Sequence, residues 1–150
     1  AAMPDSLKAQ LSGLKALHSA VLAYSPDGAY GKNDGKDRSM RITYSDRAKE
    51  VYAHPLLQTH PDSGKAMVFG CLGYIIGIEG MAEEQAMPLL TQLYEWQTRE
   101  EFMYHHEWSA GTLLLWDNRS VLHRANGGYD GHDRLLHRTT IYRALNTLAG

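Results

Sequence analysis

Trp116-Asp117-Asn118-Arg119-Ser120-Val121-Leu122-His123, with Arg134 eleven residues past the histidine and Arg138 fifteen past it, is the stretch that decides how this chain is read. The apolar run from Leu113 to Trp116 gives way to Asp117-Asn118-Arg119-Ser120, and Val121 and Leu122 then lead into His123. A strand that leaves a core in this way can present an imidazole to a cavity. The next strand-like run is Arg134-Leu135-Leu136-His137-Arg138. With side chains alternating at period two, Arg134, Leu136 and Arg138 share a face and the arginines stand roughly 13 Å apart. Guanidinium groups on an inward face are costly unless anions meet them. The run is therefore either an anion-binding strand or a solvated basic edge.

Composition narrows the class. A chain of 150 residues with 43% hydrophobic content can form one domain with a real core. The net charge is −2 and the charges are interspersed, so no basic patch points to nucleic acid. Apolar runs such as Tyr74–Ile78 and Leu113–Trp116 are far too short to cross a bilayer. Ala1-Ala2-Met3-Pro4-Asp5 shows neither the charged nor the long apolar region of a secretory signal. The single cysteine, Cys71, excludes an internal disulfide framework and a multi-cysteine metal site, and the expectation is a reduced, cytoplasmic compartment. Eight histidines are many for this length, and all but His18 lie between His54 and His137. Such clustering raises the odds of a metal site.

Leu7, Leu11, Leu14 and Leu17 recur at helical spacing behind Pro4 and Asp5, which predicts a helix over 3–22. Residues 25–49, polar and holding Gly28, Gly31 and Gly35, read as a long mobile loop of the sort that covers an active site. Strands are expected at Val51–Leu57, Lys65–Phe69 and Tyr74–Ile78, the first two joined by the turn His60-Pro61-Asp62-Ser63-Gly64. Ala82–Gln97 reads as an amphipathic helix with Met87, Leu90, Leu93, Tyr94 and Trp96 on its apolar side. Further strands follow at Phe102–Trp108, Thr112–Trp116, Ser120–Arg124 and Arg134–Tyr142. The expected fold class is α+β, with flanking helices on a β-sandwich or jelly roll. Closing such a double sheet takes about eight strands, and these short runs look like part of a barrel.

The Trp116–His123 block with its downstream arginines resembles the taurine dioxygenase and 2,4-dichlorophenoxyacetate dioxygenase family. The likeness runs along nearly the whole chain, through His54-Pro55-Leu56 and Thr59-His60-Pro61 to Arg138. It implies a double-stranded β-helix (jelly-roll) core, here a partial barrel, with residues 1–150 as the C-terminal part of a single dioxygenase domain. It also implies Fe(II), with 2-oxoglutarate as co-substrate and O2 as oxidant, and hydroxylation of a small anionic organic substrate. By the same resemblance His123 is a metal ligand and Arg134 holds the far carboxylate of 2-oxoglutarate, for which arginine's planar fork is suited. Arg138 is then the contact to the anionic substrate. Such a metal site takes two histidines and one carboxylate, and the family's His-x-Asp strand would fall before residue 1.

Two other segments imitate a ligand pair. His60-Pro61-Asp62 is formally His-x-Asp but carries a turn-forming proline, and His105-His106-Glu107 is formally His-x-Glu on an expected strand. Asp117, only six residues before His123, is expected to satisfy backbone or arginine donors. A different reading is a non-catalytic remnant, an anion-binding module that self-associates, because an incomplete barrel exposes strand edges and apolar side chains. On either reading a homo-oligomer is expected, with no nucleic acid and no membrane among the partners. A histidine-rich zinc hydrolase using His54, His60, His105 or His106 is a weaker idea that no HExxH spacing supports.

Overall fold

The computed structural model describes residues 3–29, 32, 43–128 and 131–141. Helix α1 spans Asp5–Leu11 and buries Leu7 and Leu11, one turn apart on the same face. It stops well short of the predicted residue 22. Gly13 takes a φ of 76°, and the chain turns there into strand β1, Lys15–His18. Leu14 and Leu17 thus carry a helical spacing without lying on that helix. Pairing on both edges, with β2 and β5, meets the β1 backbone groups that a continued helix would have met internally. A one-turn helix α2, Val21–Tyr24, follows.

β1 is the centre of a three-stranded antiparallel sheet in the order β2-β1-β5, where β2 is Tyr52–Pro55 and β5 is Ile75–Ile78. Ala16 faces His54 on one side and Ile78 on the other, and a bulge interrupts the β5 pairing between Leu17 and His18. Strands β3, Leu57–Thr59, and β4, Ala66–Val68, form a separate hairpin closed by the predicted His60–Gly64 turn. The single expected strand at 51–57 is therefore two, divided at Leu56. Its backbone N–H donates to Leu14 O at 2.9 Å, and its carbonyl accepts from Phe69 N at 2.8 Å, so one residue joins both sheets. Its side chain is fully buried.

Helix α3, Glu83–Gln97, lies against β5 and brings Ala86, Leu90 and Leu93 into the core with Leu7, Leu11, Ala16, Leu56, Ile75 and Ile78. Those three positions follow the 3.6-residue period. Met87 and Tyr94, expected on this face, are exposed instead, because the stripe centres on Ala86-Leu90-Leu93. Pro88 sits on the exposed side, where its missing N–H costs the helix one bond but disturbs no packing. A 3₁₀ turn, Glu100–Phe102, follows α3, and Phe102 packs its ring 5.2 Å from that of Trp96.

Beyond Phe102 the described chain is irregular. Strands were expected at 102–108, 112–116, 120–124 and 134–142, and none of their described residues joins a ladder. The architecture is α+β, with sheets and helices but no closed barrel among the described residues. Residues 30, 31 and 33–42 of the loop expected at 25–49 lie outside the described residues. Its far end forms a 3₁₀ turn at Asp46–Lys49 capped by Ser45, whose Oγ accepts from Arg47 N. No described helix is long and apolar enough to cross a membrane.

Candidate functional site

The Trp116–His123 segment is held by a turn rather than a strand. Ser120 N and Val121 N both donate to Asp117 O, at 3.2 and 3.1 Å, which reverses the chain immediately after Asp117. Trp116 Nε1 donates to Asn118 Oδ1 at 2.8 Å, and the Trp116 ring lies 5.0 Å from the ring of His123. The residues entering and leaving the turn thus touch each other.

Asp117 is the electrostatic centre of this turn. Its Oδ1 accepts from Arg119 N and Arg119 Nε, both at 2.9 Å, and its Oδ2 accepts from Arg119 Nη2 at 2.6 Å. Such a two-pronged guanidinium contact is the strong form of the carboxylate–arginine pair. His60 of the β3–β4 turn adds a further bond, Nε2 to Asp117 Oδ2 at 2.9 Å. The Arg119 guanidinium and the His60 ring hold the Asp117 carboxyl well below the usual carboxylate range. Arg119 is raised in turn by Asp117 and by Asp62, whose Oδ2 accepts from Nη2 at 2.7 Å. As expected, Asp117 serves backbone and arginine donors.

His60 is committed on both sides of its ring. Nδ1 accepts from the backbone N–H of Asp62 at 3.3 Å and of Ser63 at 3.2 Å, so the proton of the neutral ring sits on Nε2 and points at Asp117. A ring so engaged offers no lone pair to a metal, and Asp62 faces Arg119 instead. His60-Pro61-Asp62 is thereby a structural element in this chain. His105 likewise pairs with Glu100 at 2.7 Å, while the half-buried His106 sets its ring edge-on to Trp108 at 4.7 Å.

The three residues singled out for cofactor and substrate are all exposed: His123, Arg134 and Arg138. Residues 131–141 are exposed throughout and irregular, so the shared strand face expected for Arg134 and Arg138 is not formed. No group of three His, Cys, Asp or Glu side chains among the described residues is placed to hold a metal ion. His123 fits a metal as one donor: its ring touches Trp116, and no described residue hydrogen-bonds either nitrogen. The described residues thus place one imidazole beside Trp116 and no ligand set around it.

A second cluster was not anticipated from the sequence. His18, His54 and Phe69 meet ring against ring at 5.2 to 5.7 Å on the face of the three-stranded sheet. Gly70, at φ 129°, gives this cluster room, since a Cβ there would lie 2.8 Å from His18 Nε2. His18 Nδ1 donates to Ala16 O at 3.2 Å, leaving Nε2 buried and unpartnered. Burial, opposed by that backbone bond and aided by His54, lowers the His18 pKa. Its only sequence signal was two histidines on expected secondary structure.

A turn-held histidine ahead of two arginines on an α+β chain does not by itself name a family, and comparison with known proteins does. Residues 1–140 match the family model described as "Taurine catabolism dioxygenase TauD, TfdA family", and the chain belongs to that family. The alpha-ketoglutarate-dependent 2,4-dichlorophenoxyacetate dioxygenase of Cupriavidus pinatubonensis is 33% identical over 124 residues, which are 82% of this chain and 39% of that protein. The alkylsulfatase of Acinetobacter baylyi is 27% identical over 146 residues, 97% of this chain and 45% of its own. Among solved structures, a Burkholderia xenovorans protein taken to be an alpha-ketoglutarate dependent 2,4-D dioxygenase superposes with a TM-score of 0.53 at 27% identity. That superposition covers 71% of this chain and 38% of the other. The chain spans 38% to 45% of the length of four curated relatives that it matches.

Proposed function

We propose that residues 1–150 are the C-terminal part of a single jelly-roll dioxygenase domain, and that the whole protein uses Fe(II), 2-oxoglutarate and O2 to hydroxylate a small anionic organic substrate. The observation that carries this reading is the order Trp116, His123, Arg134, Arg138 on a chain that belongs to the family. Relatives named for phenoxypropionate and for sulfate esters as well as for 2,4-dichlorophenoxyacetate support an anionic substrate class.

In this reading His123 is one metal ligand, and a His-x-Asp pair in sequence preceding residue 1 supplies the other two. Iron held there with its co-substrate would supply the oxidising power for the hydroxylation, one atom of O2 going to the substrate and the other to the succinate formed as 2-oxoglutarate loses CO2. Arg134 holds the far carboxylate of 2-oxoglutarate through its planar fork, and Arg138 holds the anionic group of the substrate. Trp116, whose ring lies against His123, would wall one side of the metal.

Anaerobic addition of Fe(II) and 2-oxoglutarate to the protein with its upstream segment should give a visible charge-transfer band that His123→Ala abolishes. The 150-residue chain alone should give none. A band that survives His123→Ala overturns the ligand assignment. Arg134→Ala should raise the requirement for 2-oxoglutarate far more than that for the prime substrate, since each charge-assisted bond lost is worth about 1.5–3 kcal/mol. Equal effects on both would remove Arg134 from that role.

A second reading, a self-associating module without turnover, is favoured by one observation. Leu113, Leu115, Leu135 and Ile141 are each 80% or more exposed. Apolar surface of that kind is ordinarily covered by a partner. Association that strengthens with concentration and ignores metal is the mark of this reading.

A further inference from the structure

We propose that His60, Asp62, Asp117 and Arg119 form a clip that positions His123, by tying the turn that carries it to the β3–β4 turn 57 residues earlier. The inference rests on the reading of His123 as a metal ligand for its functional meaning, but the positioning itself stands on geometry. These are positioning residues, since their side chains bond one another and act on His123 through the turn that carries it.

The contacts close on themselves. The N–H groups of Asp62 and Ser63 fix the His60 ring through Nδ1, and His60 Nε2 then donates to Asp117 Oδ2. Asp117 takes the Arg119 fork through both carboxylate oxygens, and Arg119 Nη2 returns to Asp62 on the first turn. Asp117 and Arg119 are each held by two other side chains of the clip, and His60 by Asp117 together with the two backbone N–H groups. His60 is the best shielded member at 13% side-chain exposure, with Asp117 at 33%. The clip also lies where the chain needs it. From residue 103 onward the described chain joins no ladder, so backbone pairing does not set the direction of the 116–123 segment.

Transmission to His123 is short. Asp117 O receives both Ser120 N and Val121 N, which ties the backbone after the turn to the residue that the clip grips. Trp116, the neighbour of Asp117, sets its ring at a tilt against that of His123, 5.0 Å away, and gives the imidazole its one described packing contact. Loss of the clip should therefore leave the core intact while the His123 ring loses its fixed place against Trp116. Hydrogen-bonded partners that orient a metal ligand change metal affinity by about 10–100-fold when removed, and this clip acts one step further from the ligand.

The test is a double-mutant cycle on the full chain, made of His60→Ala, Asp117→Asn and the pair, read by NMR of the His123 ring protons. In Asp117→Asn an amide NH2 group faces the donors of His60 and Arg119, so the clip is broken from its other turn. The expected result is that each single variant moves the His123 signals from ring-current-shifted positions to those of a free histidine. The double variant should move them no further, because both break one closed ring. Methyl signals of Leu90 and Leu93 should stay in place, and Arg119→Lys, which keeps the charge but not the fork, should retain part of the ring-current shift that the other variants lose. Unmoved His123 signals in both single variants overturn the inference, as do additive shifts in the double variant. If one variant fails to fold, the other with Arg119→Lys decides by the same signals. His123→Ala in the charge-transfer titration tests the ligand reading separately. Should that titration fail while the NMR cycle succeeds, the clip stands as a positioning device and the ligand role falls.

Discussion

Leu90 and Leu113 each stand between a leucine and a threonine in the sequence, yet one is 1% exposed and the other 92%. The difference lies in how each region satisfies its backbone. Residues 83–97 close their hydrogen bonds within one helix, so a helix with an apolar stripe needs only a surface to lie on, and β5 provides it. Residues 103–141 carry the composition of strands, whose N–H and C=O groups must be met by another strand. No ladder forms there among the described residues, and Leu113, Leu115 and Tyr104 remain in solvent. A hydrophobic pattern is thus enough to bury a helical face but not to build a sheet.

That contrast can be broken most sharply by truncation. Leu90→Ala should destabilise the chain by about 2–5 kcal/mol, the usual range for a buried leucine, whereas Leu113→Ala should stay within about 0.5 kcal/mol, as exposed substitutions do. Urea denaturation checks both. A comparable loss at Leu113 would show that the second region is packed in solution.

A smaller effect concerns association. Replacing Leu113 and Leu115 with lysine should weaken concentration-dependent self-association measured by sedimentation, because it removes exposed apolar surface without touching the core. Unchanged sedimentation would place any interface elsewhere.

The smallest expected effect is a pH dependence centred on the first region. Burial holds the His18 pKa below its ordinary 6.5, so the fold favours the neutral ring. Stability from this group is fully present above 6.5 and declines as pH falls through the lowered value, because unfolding then takes up a proton. Thermal melts between pH 8 and pH 5 should fall more steeply for the wild type than for His18→Phe. Parallel curves would remove His18 as the source. Asp117, held low by Arg119 and His60, follows the carboxylate rule: its contribution is present above 3.8 and fades only in strong acid.

How much was legible follows the same physical line. The helix at 83–97 and the turn at His60–Gly64 were readable because their causes are local, a 3.6-residue stripe and a proline–glycine turn. Leu14 and Leu17 misled because helical spacing also arises by chance in a strand, and only pairing with β2 and β5 resolves it. Arg134 and Arg138 were assigned from their spacing and a family resemblance, and the exposed 131–141 segment adds no geometry to that assignment.

By itself, then, the sequence determined the family, the order of the candidate residues, and those elements whose hydrogen bonds close locally. Tertiary structure alone decided that Leu56 joins two sheets, that His18 loses a hydrogen-bonding partner on burial, and that His60 grips Asp117 across 57 residues. Contacts between residues far apart in the chain depend on where the backbone travels between them, and side-chain identity at either end does not encode that path.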